Sequence, residues 1–419
     1  MANGIVTAAP MTTAPTGIAK ATWWLLASLY TTQSVALMFF MGAFVAILLE
    51  QGASMERVSL VYAVGMVWPF KLLWAPFIDR FRLGWLGHYR GWLILMQSGL
   101  VITLVALAGL DVVRDFEAIY AGCLLIALLS ATQDIAVDGL ACRVLPPARR
   151  GLGNGLQIAG GLMGNLVGAG AVLVAYRYVG WHGSMMILAA VTAVSLVQLV
   201  FYREPRWPAV QARTRDFVLR LWTFWRQPGW PRWLLLVLFY TVSSSLAYAL
   251  VIPLLMARGW SLDRVGWVVN VFGSVLGCAA AMGSGWALYR LGRRRALVWA
   301  AVLQVLGVLA IALLLREELS DGIAMAAVGV YFLGYNPAAV VLATLMMDHV
   351  SRDSPATDYT VQYSLNQFFA LGMITAGAAL AVPMGYGGVL ALAAAVAVLA
   401  AGLAGIYREP LHMAAGGDA

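Results

Sequence analysis

Along most of this chain the apolar residues neither alternate nor recur on one helical face. They run on for about twenty positions at a time, separated by short clusters of arginine, acid, glycine and proline. A run of that length suits a helix crossing a bilayer, which needs about 20 apolar residues. The pattern predicts twelve spans, at about 23–49, 58–78, 91–110, 118–142, 151–176, 181–201, 233–256, 265–289, 296–315, 323–347, 361–381 and 385–406. Residues 1–22 are small and polar, without the basic start, apolar stretch and cleavage site of a signal peptide, so a disordered N-terminal tail is expected there. A C-terminal tail is expected over 407–419.

Composition removes the alternatives. Of 419 residues, 62% are hydrophobic and only 11% charged, where a soluble domain carries about 25% charged. Soluble enzymes, disordered chains and fibrous proteins are excluded, leaving an all-α integral membrane protein. Cys123, Cys142 and Cys278 lie in apolar runs at spacings that suit neither a disulfide framework nor zinc, so no metal site is expected. His88, His182, His349 and His412 fall near span ends and read as interfacial. There is no Walker loop, nucleophile elbow or HExxH pair, so neither an enzyme nor a bound cofactor is expected, and an ion gradient is left as the energy source.

The net charge of +8 is unevenly placed. Even-numbered connections carry Arg80, Arg82 and Arg90, then Arg143, Arg149 and Arg150, a cluster from Arg203 to Arg232, and Arg290, Arg293, Arg294 and Arg295. Odd-numbered ones hold Glu50, Glu56, Asp111, Asp115, Glu117, Glu317, Glu318 and Asp321. The positive-inside rule puts the arginine-rich side and both termini in the cytoplasm. The basic charge thus reflects orientation and calls for no nucleic-acid partner.

The chain is also written twice. Asp138 and Gln157 recur 210 positions on as Asp348 and Gln367, and Tyr30-Thr31 recurs as Tyr240-Thr241. The sixth span ends Tyr202-Arg203-Glu204-Pro205 and the last Tyr407-Arg408-Glu409-Pro410. Six spans per half means that both halves start on the same side. They are therefore parallel repeats, a six-helix bundle over 23–201 and another over 233–406, joined by a linker over 202–232. That arrangement is similar to the major facilitator transporters, whose substrate cavity lies between the halves near the bilayer midplane. In the linker, Arg213, Arg215, Arg220 and Arg226 interleave with Phe217, Leu219, Leu221, Trp222 and Trp225, as in a helix lying on the membrane surface or a solvated basic linker.

Charges inside apolar spans are costly unless paired or wet, so they mark mechanism. Lys71 lies nine residues before Arg80, about 13 Å inward, and Asp134 lies nine before Arg143 at the same depth. A Lys71–Asp134 ion pair is expected, either purely structural or taking part in coupling, with Asp138 one turn on, and its repeat partner Asp348, as candidates for protonation or gating. Arg290-Leu291-Gly292-Arg293-Arg294 resembles the major facilitator loop signature, with Tyr289 where the acid belongs; Asp79-Arg80 is its first-half counterpart. An aspartate there can hold the N-terminus of a neighbouring helix, so Asp79, Arg80, Arg290, Arg293 and Arg294 are candidates for a cytoplasmic latch. Gln33, Tyr240, Tyr331, Tyr335, Asn336, Gln157 and Gln367 are the expected lining of the substrate cavity.

Lys71-Leu-Leu-Trp-Ala-Pro-Phe-Ile-Asp79-Arg80 and Ser130-Ala-Thr-Gln-Asp134-Ile-Ala-Val-Asp138 resemble the AmpG-type muropeptide permeases. The same branch includes the rhizobactin/pyochelin-type siderophore permeases, and Thr357-Asp-Tyr-Thr-Val-Gln362 looks more like that subgroup. The resemblance implies an inner-membrane secondary importer, working as a monomer and driven by the proton gradient. Its cargo would be a ferric siderophore or, as the alternative, a muropeptide or other amphiphilic solute.

Overall fold

The computed structural model describes residues 18–207, 214–226 and 229–407. Residues 1–17 and 408–419 of the expected tails, and the linker's Arg213, lie outside them. No strand occurs among the described residues. Nine helices there are long and apolar enough to cross a membrane: Lys20–Glu50, Tyr89–Leu107, Phe116–Val144, Pro147–Phe201, Trp230–Ala257, Leu262–Leu291, Arg293–Leu315, Asp321–Asp348 and Pro355–Ile406.

Two of the nine break at a glycine. Pro147–Phe201 breaks at Gly180 (φ 64°, ψ −166°) and Pro355–Ile406 at Gly385 (φ 69°, ψ 167°), backbone geometries that any side chain would strain. Each glycine falls where the hydropathy pattern puts a turn between consecutive spans, and the two are 205 positions apart, as are the Tyr-Arg-Glu-Pro ends. The second span is different. It is helical in pieces, Met55–Ala63, Val67–Phe70 and Ala75–Arg80, joined by 3-10 turns at Val64–Met66 and Lys71–Leu73. Pro69 and Pro76 account for this, since each lacks an amide donor and crowds the turn before it. The expected count of twelve spans thus rests on reading the two broken helices as pairs and this interrupted stretch as a span.

Within the first half, Gly160, Gly164 and Gly168 recur every four residues and flatten one side of the fifth span, where the first span lies. A Cβ on Gly164 would stand 2.5 Å from that of Ser34, and one on Gly168 only 2.1 Å from the Val35 carbonyl oxygen. In lipid, where apolar burial does not drive helices together, such close approach supplies the packing. Other glycines join the halves. A Cβ on Gly155 would meet the Ala281 carbonyl at 2.9 Å, one on Gly285 would meet that of Gly151 at 2.7 Å, and one on Gly139 would meet Ala356 at 2.8 Å. All of these lie in the arginine-rich ends of their helices, so the two halves are closed against each other at that end.

The amphipathic linker segment is a helix, Thr214–Thr223. It leaves Val218, Leu219 and Trp222 exposed and turns Arg220 toward the bundle.

The glycine stripe gives a direct test. Gly168→Ala should lower the stability of the purified protein by about 1–3 kcal/mol, because the new methyl has backbone on top of it. Gly161→Ala, with nothing within 4 Å, should leave the melting temperature unchanged.

Candidate functional site

Five aspartates and one lysine lie buried along the contact between the halves. Lys71 begins the 3-10 turn between the two prolines of the second span, and its side chain is wholly enclosed. Its ammonium forms an ion pair with Asp134 of the fourth span. The other Asp134 oxygen accepts from Gln33 Nε2 of the first span at 2.8 Å. The ammonium also lies 4.9 Å from the ring centroid of Tyr363, on the eleventh span, a cation–π contact across the halves. Beside it Phe70 and Phe368 meet edge to face at 5.2 Å. The expected pair is therefore present, and an aromatic face of the second half covers it.

Asp138, one turn toward the arginine-rich end, is held differently. Its Oδ1 accepts from the Tyr30 hydroxyl at 3.0 Å and from Gln157 Nε2 at 2.9 Å. Its Oδ2 is buried with no hydrogen-bond partner, and no lysine or arginine among the described residues lies within ion-pair distance. Gln157 in turn accepts at Oε1 from the hydroxyl of Tyr359, on the eleventh span, at 2.9 Å. Asp138 is thus a buried carboxyl held by neutral donors, with one oxygen unanswered.

Asp348, its partner in the repeat, does not share this environment. It ends the tenth span between Arg293 (2.8 Å) and Arg150 (3.0 Å), the first from its own half and the second from the other. Of the two roles expected of Asp348, protonation or gating, this setting favours gating: a carboxylate answered by two guanidinium groups is a clamp.

A second clamp is Asp79. It accepts from the backbone N–H of Thr357 at 2.7 Å and of Ala356 at 3.3 Å, and from the Tyr89 hydroxyl at 2.6 Å. The first half therefore caps the N-terminus of the eleventh span, as the loop signature led us to expect. The rest of the proposed latch divides. Arg293 reaches Asp348, while Arg80 lies over the Phe81 ring, Arg290 over Trp286, and Arg294 donates to the Gly405 carbonyl.

Sequence reasoning missed three supports of this end. Asp358, fully buried, takes both oxygens to Arg220 of the linker helix, at 2.6 and 2.8 Å. Glu204 caps the third span, accepting from the N–H groups of Tyr89 and Arg90 at 3.1 Å each. Burial raises its carboxyl above the usual range, against the pull of those amides. His88 is not a free interfacial residue: burial lowers it to about 4, so the neutral ring donates from Nε2 to the Ile78 carbonyl at 2.8 Å.

A cavity of about 50 Å³ lies in the second half, lined by Tyr240, Thr241, Ser244 and Ser245, Gln304, Tyr335, Asn366 and Gln367 with small apolar neighbours. That is room for a few waters. Of the expected lining, Tyr240, Tyr335 and Gln367 are present. Tyr331 instead donates to the Ser244 carbonyl at 2.9 Å, and Asn336 packs against Gly277 of the eighth span. Gln33 and Gln157 serve the two first-half carboxylates. Gln304 was not foreseen, because a lone glutamine on an otherwise apolar ninth span carries no pattern.

Comparison with known proteins places this geometry. The family model described as Major Facilitator Superfamily matches residues 23–378. The anhydromuropeptide permease of Escherichia coli K12 is 29% identical over 274 residues, covering 63% of this chain and 54% of that protein. The putative transporter AmpG 4 of Rickettsia felis is 22% identical over 270 residues, covering 61% of this chain and 65% of that one. The chain thus aligns with about half the length of the first of these relatives. Among solved structures, the human organic anion transporter MFSD10 superimposes with a TM-score of 0.69 at 16% identity, covering 92% of this chain and 98% of that one. The Escherichia coli fucose:proton symporter FucP gives 0.66 at 12%, covering 91% and 98%.

The buried pair makes a prediction. Lys71→Ala should cost about 3–5 kcal/mol, because it strands a buried carboxylate, and Lys71→Ala/Asp134→Ala should recover part of that loss. Melting temperatures in detergent decide it; a double variant no more stable than either single variant removes the ion pair from the account.

Proposed function

We propose that the chain, which belongs to the Major Facilitator Superfamily, is a secondary transporter that carries a muropeptide toward the cytoplasm by alternating access, driven by the proton gradient. The observation that carries the mechanism is Asp138: a buried carboxyl held by neutral donors, with one oxygen open, next to a contact between the halves. Proton uptake there changes the charge of the bundle interior without breaking a salt bridge. The closed, arginine-rich end is the cytoplasmic one on the positive-inside rule, so in this conformation the route to the cytoplasm is shut.

The muropeptide reading replaces the siderophore as first choice. The similarity to a protein named anhydromuropeptide permease supports it. The siderophore reading rested on Thr357-Asp358-Tyr359-Thr360-Val361-Gln362. In this structure Thr357 is capped by Asp79, Asp358 pairs with Arg220, Tyr359 bonds Gln157, and Gln362 accepts from Trp233 Nε1. Those side chains hold the gate together and do not speak for a ligand. The second-half cavity offers hydroxyl, amide and aromatic groups without charge, which suit the hydroxyls and amides of a sugar–peptide conjugate. The cavity must widen to admit one, which requires motion of the tenth and eleventh spans.

The test is accumulation of radiolabelled anhydromuropeptide in cells expressing the protein, with ferric siderophores in parallel and a protonophore added to half the samples. Muropeptide should accumulate, collapse with the protonophore, and fail to accumulate in Asp138→Asn at normal membrane insertion. Siderophore uptake alone would restore the other reading of the cargo. Accumulation indifferent to the protonophore would remove the proton from the mechanism.

A further inference from the structure

Tyr359 brings a hydroxyl of the second half into the hydrogen bonds around Asp138. It is completely buried where the eleventh span meets the fourth and fifth. An amide side chain has one accepting and one donating end. Because the Tyr359 hydroxyl donates to Gln157 Oε1 at 2.9 Å, with a longer contact to Asn154 at 3.2 Å, Gln157 turns its Nε2 to Asp138. With its one proton on the nearer oxygen, Gln157 Oε1, the Tyr359 hydroxyl holds the amide with its N–H toward Asp138.

That choice depends on the gate. The eleventh span carries Tyr359 two residues beyond Thr357, whose amide Asp79 holds. When that end opens and the eleventh span leaves the fifth, the hydroxyl goes with it and the amide can rotate. An N–H facing Asp138 suits a carboxylate; an amide oxygen suits the acid, whose O–H it can accept. We infer that Tyr359 is a positioning residue through which closure of the arginine-rich end and protonation of Asp138 oppose one another. By reciprocity, if closure favours the carboxylate, protonation favours opening by the same free energy. The direction is the one an importer needs, since a proton taken up from the far side promotes release into the cytoplasm.

The titratable and charged groups facing Asp138 are Tyr30 from the first span, Lys71 from the second, Asp134 and Cys142 on its own helix, and Tyr359 and Tyr363 from the eleventh. Lys71 is already engaged by Asp134, and the tyrosines and the thiol are neutral donors. None of them replaces the switch at Gln157. The inference rests on the proton-coupled reading above, and the experiment separates the two.

Spin labels at Arg82→Cys and Leu291→Cys, exposed on different halves at that end, would report its opening in the full chain in lipid nanodiscs. The native cysteines would be changed to serine. The inter-label distance should widen as pH falls from about 8 to about 5, and Asp138→Asn should remove that response. Tyr359→Phe should at least halve it, and Gln157→Met, which keeps the size but loses the amide, should do the same. If Tyr359→Phe and Gln157→Met respond to pH like the parent, the inference falls and the proton-coupled reading stands. If the parent itself does not respond, the inference also falls, and the protonophore test on uptake decides whether proton coupling falls with it.

Discussion

A carboxylate in an apolar slab has to be answered by a group from another helix, at a cost of about 2.5–3.5 kcal/mol on insertion scales if it is not. This constraint organises the arginine-rich half of the protein. Asp134 is answered by Lys71, Asp348 by Arg293 and Arg150, Asp358 by Arg220, and Asp79 by the first amides of the eleventh span. Two of these answers, at Asp79 and Asp348, come from the opposite half. The closed state therefore adds a partner from the opposite half to charges that each half answers only in part, on glycine surfaces flat enough to bring them together.

The groups divide the work by what answers them. Where the partner is a guanidinium or a helix N-terminus, the carboxylate is a clamp, and the contacts that cross the halves, Arg150 to Asp348 and Asp79 to the eleventh span, are the ones lost when the halves part. Where the partners are a phenol and an amide, as at Asp138, no salt bridge stands in the way of protonation, which is why the proposed coupling is placed there. Lys71 and Asp134 fall between: their pair stays inside the first half, and Tyr363 covers it from the second.

Much of this could be read in the sequence, because depth is encoded in residue count. Nine residues from Lys71 to Arg80 and nine from Asp134 to Arg143 put the two charges at one level, and they do pair. The aspartate of the loop signature implied a capped helix, and Asp79 caps one. What counting does not encode is azimuth. Tyr331 and Asn336 sit on the same span as Tyr335, yet only Tyr335 turns to the cavity. The repeat has the same limit, since Asp138 and Asp348 are equivalent in position and opposite in environment: Arg150 and Arg293 pair with only the second. Tyr359 was invisible, because nothing local marks a tyrosine whose partner lies 202 positions away. The segment from Thr357 to Gln362 looked like a clue to the cargo, and its groups are engaged instead by Asp79, Arg220, Gln157 and Trp233.

Cys142 offers the most direct test of the central claim that Asp79 and Asp348 hold the arginine-rich end shut. It is buried at that end of the fourth span, with Arg150, Asp79 and Asp358 around it. With Cys123 and Cys278 changed to serine, its rate of maleimide alkylation reports whether the halves are together. The account predicts slow labelling in the parent and labelling faster by an order of magnitude or more in Asp79→Asn/Asp348→Asn, at unchanged helical content. Equal rates in the two proteins would contradict it.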